Sequence, residues 1–143
     1  MDTSTLSASL RRGDDRVQFE AGDGENPVIR VDGVPPIGHG EGYTSMHLFL
    51  ISFASCVGVT LASMVRDRMR RQLTAMTIDI SGDTRDTHPK AFTHLRLHID
   101  ITSPGATEAE ITRALDSAER KVCPVWAMVK GNVEVKTTFT LHA

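Results

Sequence analysis

Two cysteines, Cys56 and Cys123, carry the most reactive side chains of this 143-residue chain. Cys56 sits in "SFASCVGVTLASM", a stretch without charge. A thiol in such surroundings has two possible roles. It can pack as a small hydrophobe, or, where its thiolate is accessible and stabilised, it can act as a nucleophile. Cys123 sits in "AERKVCPVWAMVK", directly before Pro124. Proline suits the first position of a helix, so the Cys123 sulfur is expected to face the free N–H groups of the "PVWAMV" turn, a setting that favours the thiolate and lowers a thiol's pKa. In a reducing compartment two cysteines are expected to be free, catalytic or redox-sensing rather than a permanent staple. Whether they meet is left open by their spacing, because a disulfide requires Cα atoms within about 7 Å.

Other side chains offer weaker chemistry. His94 and His98 fall on one face of a strand, but Arg96 lies between them and repels a cation. A closed zinc site needs four ligands in recognisable spacing, so no metal is expected. Trp126 reads as a core or interface aromatic rather than a substrate wall.

These residues must be held by a modest framework. With 40% hydrophobic and 24% charged residues, the chain reads as one domain over residues 1–143. The net charge of -2 gives no general attraction to nucleic acid or to anionic membranes. "MDTSTLSASLRRGDDR" lacks the basic start and apolar core that export requires, so a cytoplasmic location is expected. "STLSASLR", "RVQFEA" and "NPVIRVDG", separated by turn-rich segments, predict a small antiparallel meander. "GVPPIGHGEGY" predicts a loop, after which Thr44 or Ser45 can cap a helix. From Ser45 to Gln72 no proline intervenes, predicting one helix of about 40 Å. "LTAMTIDISGD" and "FTHLRLHIDITS" alternate at period two and predict a strand pair with one wet face. Thr107 and Glu110, in capping-box spacing, open an amphipathic helix with Ile111, Ala114, Leu115 and Ala118 on one side. After "PVWAMV" and Gly131, "NVEVKTTFTLHA" predicts a closing strand.

Residues 48–65 contain no charge, and Arg66, Arg68, Arg70 and Arg71 follow. Such a segment has the form of a minimal membrane span, yet Ser52, Ser55, Thr60, Ser63 and Gly58 keep it only modestly hydrophobic. A soluble helix with no polar face must be buried all round, and a single sheet covers one side. A second copy of the chain is therefore expected to cover the remainder under two-fold symmetry. Ala54, Gly58 and Ala62 offer a small-residue line for close approach, while Ser52, Cys56, Thr60 and Ser63 form a separate, mildly polar stripe.

Taken in order, "TSMHLFLISFASCVGVTLASMVRDR" and "AERKVCPVWAMVKGNVEVKTTF" resemble the OsmC/Ohr family of thiol-dependent peroxidases. The likeness spans nearly the whole chain and is weakest over the first forty residues. It implies an α+β fold in which antiparallel sheets wrap long central helices in an intertwined homodimer. It also implies that Cys56 is the peroxidatic thiol and Cys123 the resolving one, joined in a disulfide that an external dithiol of the lipoyl-protein or thioredoxin type reduces. The implied substrate is an organic hydroperoxide or hydrogen peroxide, and by the same resemblance no metal or organic cofactor is required.

The chain departs from the family pattern at the position ten before Cys56, where an acidic residue usually holds an arginine against the thiolate; here Met46 stands, followed by His47. Arg11, Arg12 and Arg16, in or beside the "RGDD" turn, lie near where the family supplies that arginine, although for any one of them a solvated turn charge is the ordinary reading. His47 can orient a partner or serve as a polar residue at a helix start. A stress or ligand-binding protein with weakly reactive or sensing cysteines is the alternative to an enzyme.

Overall fold

The computed structural model describes residues 5–143. The chain divides into two compact units, Met1–Phe49 and Leu50–Ala143.

In the first unit, β1 (Ser9–Arg12), β2 (Phe19–Gly22) and β3 (Ile29–Val31) form the expected antiparallel meander. Ser4, the first residue of the predicted opening segment, lies outside the described residues. The proline- and glycine-rich loop after β3 is organised by a buried carboxylate. Asp32 accepts hydrogen bonds from the backbone N–H groups of Gly33, His39 and Glu41 and from the Gln18 side chain. These donors, that of Glu41 foremost, hold the Asp32 carboxyl below its ordinary pKa. Thr44 then caps α1 (Ser45–Ser63), its hydroxyl accepting the His47 N–H at 3.2 Å.

The α1 helix ends sooner than the uninterrupted apolar run predicts. Beyond Ser63 the backbone widens into a π-type turn over Met64–Arg68, and Arg70 takes a left-handed φ of 58°. The Met69 and Arg71 N–H groups reach back to the carbonyls of Met64 and Val65, so the last turn is closed without a glycine. Residues 69–72 are thus not helical. By length and composition alone Ser45–Arg68 could cross a membrane, with 33% of its most apolar window buried within the chain.

The second unit is built on a sheet ordered β4 (Ala75–Thr84), β5 (Phe92–Thr102), β6 (Glu134–His142). The β4 and β5 strands pair antiparallel, as their alternation predicts, whereas β6 runs parallel to β5. The expectation of purely antiparallel sheets is corrected here. Period-two alternation is the same for either direction, and the helical connection over residues 103–133 is long enough for the crossover that a parallel neighbour requires. Leu95, Leu97, Ile99 and Ile101 of β5 are buried on one face, in register with Ile80 and Ile78 of β4 and with Val135, Phe139 and Leu141 of β6. The opposite face is the predicted wet one, carrying Asp79, His94, Arg96, His98, Asp100 and Lys136.

The α2 helix (Glu108–Ser117) starts with the predicted capping box. The Glu110 N–H donates to the Thr107 hydroxyl and the Thr107 N–H donates to the Glu110 carboxylate. Arg71, just past the end of α1, donates twice to the same carboxylate at 3.2 and 3.3 Å. After a second wide turn over Ala118–Val122, Pro124 opens the short α3 (Pro124–Val129).

Candidate functional site

The α1 helix and the π-type turn after it present Phe53, Val57, Leu61 and Val65 to the core, all with no solvent exposure. That spacing of four describes one helical face. At Gly58 the helix comes so close to β4 that an added Cβ would lie 2.9 Å from Ile78 Cδ1, so the small-residue line serves packing on the chain's own sheet at this point. Cys56 borders the buried face and is half-buried, and Thr60, one turn further on, is buried.

Cys123 is fully buried at the cap of α3, where its sulfur accepts the Trp126 N–H at 3.4 Å. The Trp126 ring packs edge-on against Phe53, with centroids 5.5 Å apart and planes inclined by 68°. An aromatic contact therefore joins the turn before Cys56 to the turn after Cys123, and Trp126 is a core aromatic as expected. Cys56 lies close enough to Cys123 to help raise the pKa of its thiol. The fold thus brings together two residues 67 positions apart.

The electrostatics of Cys123 reverse one expectation. The N–H cap is present, yet the Cys123 pKa rises from its ordinary 9.0 to about 11. Burial is the largest cause, because it penalises the thiolate, and hydrogen bonding to Cys56 adds to it. The Trp126 N–H pulls the other way and is outweighed. A helix of a single turn and a half supplies too few aligned dipoles to offset removal of the sulfur from water. Burial, above all, holds Cys123 as a thiol.

The remaining predicted residues belong to the first unit. Arg11 is exposed on β1, opposite Glu20 in the strand register. Arg12 donates from Nε to the Arg16 carbonyl at 2.6 Å, and the Arg16 guanidinium faces the carbonyls of Pro36 and Gly38 at 3.4 Å. His47 has its Nδ1 2.9 Å from the Thr44 hydroxyl at the exposed start of α1. Met46 is half-buried beside it.

His94 and His98 do share a strand face, but each is occupied by neighbours on it. His94 lies 3.0 Å from Glu134, and His98 bridges the hydroxyls of Thr138 and Thr140. A set of potential ligands that sequence reasoning missed is Asp14, Asp15 and His39, whose donor atoms lie within 4.8 Å of one another. It escaped notice because His39 is carried there by an irregular loop that has no periodicity to read.

Comparison with known proteins is consistent with this architecture. Residues 38–138 match the family model described as OsmC-like protein. Protein YhfA of Escherichia coli strain K12 is 24% identical over 98 residues, covering 68% of this chain and 72% of that protein. A hypothetical protein from Aquifex aeolicus VF5 superposes with a TM-score of 0.84 at 22% identity, covering 97% of both chains. An OsmC-like protein from Mycoplasma pneumoniae superposes at 0.82, with 20% identity and full coverage of both. A Legionella pneumophila protein described as an organic hydroperoxide resistance protein superposes at 0.73, with 21% identity over 98% of this chain and 99% of that one. At these identities the superpositions speak to the fold, and the family match covers most of the sequence. The chain belongs to the OsmC-like protein family.

Proposed function

We propose that the protein is a two-cysteine peroxidase for organic hydroperoxides, acting in the cytoplasm as a homodimer. The observation that carries this reading is the nearness of the half-buried Cys56 to the buried Cys123. The names of family relatives as organic hydroperoxide resistance proteins agree with it. The Cys56 thiolate attacks the distal oxygen of the peroxide and the O–O bond breaks. The sulfur keeps the hydroxyl as a sulfenic acid, and the alkoxide leaves and takes a proton from water. The Cys123 sulfur then attacks the Cys56 sulfur, the S–O bond breaks, and water departs with the Cys123 proton. An external dithiol reduces the resulting disulfide, forming its own disulfide and restoring both thiols. The raised pKa of Cys123 suits the second role, since it keeps that proton until the sulfenic acid is present to take it. Arg11, Arg16 and His47 are proposed as residues that approach the thiolate in the assembled protein.

Turnover of cumene hydroperoxide with a dithiol reductant tests the proposal. It should vanish in Cys56→Ser, and Cys123→Ser should stall as a sulfenic acid or over-oxidise. Retained turnover in Cys56→Ser removes the reading. A binding protein with sensing cysteines is favoured by one observation, the half-buried Met46 where an acid usually stands. It predicts no catalytic consumption of peroxide by the unsubstituted chain.

A further inference from the structure

We propose that Trp126 is a positioning residue for the cysteine couple: its indole, seated against Phe53, fixes the turn that carries Cys123 against the helix that carries Cys56. The inference deepens the two-cysteine reading and rests on it, while its test uses no peroxide.

The turn that carries Cys123 has few anchors of its own. Residues 119–122 before it are exposed, and α3 after it is six residues long. A helix that short is not stable by itself and takes its place from packing. Its buried residues are Trp126 and Val129, and Trp126, at 4% exposure, is the larger. Trp126 engages both sides of the site. Its backbone N–H donates to the Cys123 sulfur at 3.4 Å, and its ring meets Phe53 edge-on with centroids 5.5 Å apart. The N–H and the ring branch from one α-carbon, so an orientation imposed on the ring is imposed on the donor that caps the sulfur. Phe53, itself without solvent exposure, lies on α1 three residues before Cys56. The two cysteines are thus joined by a continuous link made of the α1 backbone, the ring contact and the N–H cap.

An edge-to-face pair fixes orientation as well as filling space, because the positive edge of one ring prefers the negative face of the other. An aliphatic side chain fills volume without that preference. A turn oriented in advance has less freedom to lose when the S–S bond closes, so the contact favours the disulfide. Loosening it leaves both thiols present and changes their equilibrium for closing.

The test is equilibration of the intact chain in dithiothreitol buffers of graded redox poise, with the Cys56–Cys123 disulfide read by peptide mass spectrometry after free thiols are trapped. Both thiols give up their hydrogens, the S–S bond forms, and the two electrons and two protons convert the cyclic disulfide of the reagent into its dithiol. Trp126→Leu should lower the equilibrium constant for closing about tenfold, a rise in reduction potential of about 30 mV for this two-electron couple. Trp126→Phe keeps a ring for Phe53 and should return most of that loss. Phe53→Leu removes the same contact from the other side and should give a similar loss, and the double variant Trp126→Leu with Phe53→Leu should lose no more than either single one. Phe53→Leu also carries the test should Trp126→Leu fail to fold. An unchanged potential in the leucine variants overturns the inference, as does an equal loss in Trp126→Phe or a multiplied loss in the double variant. An original chain that closes no disulfide in any buffer overturns it together with the two-cysteine reading. A chain that closes the disulfide but consumes no peroxide removes the peroxidase reading alone, and the potentials still decide the role of Trp126.

Discussion

At the scale of residues, the chemistry is divided between two unlike thiols. Cys123 is buried and keeps its proton to about pH 11, while Cys56 borders the buried face of α1. Retention of that proton has a thermodynamic signature. Between the thiol's ordinary 9.0 and the folded value of about 11, the native chain binds a proton that the unfolded chain has released, so stability falls as pH rises through that window. Urea midpoints measured from pH 8 to 11 should decline in the reduced protein, and the decline should be shallower in Cys123→Ala. An unchanged slope in that variant would show that Cys123 is not the group responsible. Both cysteines were legible in the sequence, and the capping of α3 in "CPVWAMV". The dominance of burial was not, because the packing around this turn, such as Phe53 against Trp126, comes from a helix some seventy residues earlier.

At the scale of elements, the clearest local signal was the Thr107 and Glu110 pair, which forms the reciprocal cap it encodes. Arg71 adds a long-range partner that no local pattern announces, tying the chain after α1 to α2 through the same carboxylate. Thr107→Ala should destabilise the protein by about 1 kcal/mol in chemical denaturation, and a change near zero would mean that the cap contributes nothing to α2. The backbone N–H of Thr107 foremost, and Arg71 after it, hold the Glu110 carboxyl below its ordinary pKa. Its stabilising contribution is therefore complete above the unfolded value of about 4.3 and is lost as pH falls through the lower folded value. Two element-level features lay beyond the sequence for physical reasons. The end of α1 is made by Arg70 in a left-handed conformation that glycine or asparagine usually marks. The direction of β6 is a property of the crossover path, to which side-chain alternation is blind.

At the scale of the whole molecule, α1 poses the problem that its composition foretold. One face is dry, but Ile51 and Val59 remain 46% and 71% exposed, and Val122 and Met128 in the α2–α3 region are 46% and 70% exposed. Large apolar groups left open on a helix without charged residues from 48 to 65 favour association, and an isologous dimer is the simplest closed arrangement that covers them. Sedimentation velocity at micromolar concentration should give a dimer, and Val59→Asp should shift it toward a single subunit by placing a charge at the proposed contact. A native chain that sediments as one subunit would remove the homodimer from the account.

The central claim, that Cys56 and Cys123 form one redox couple, is tested most directly by titrating the reduced protein with a single equivalent of cumene hydroperoxide and mapping the product by non-reducing peptide mass spectrometry. The account predicts one intrachain Cys56–Cys123 disulfide, formed with loss of two hydrogens and reversed by a dithiol. Oxygen adducts accumulating on Cys56 while Cys123 stays a free thiol, or a chain left unmodified by the peroxide, would contradict it.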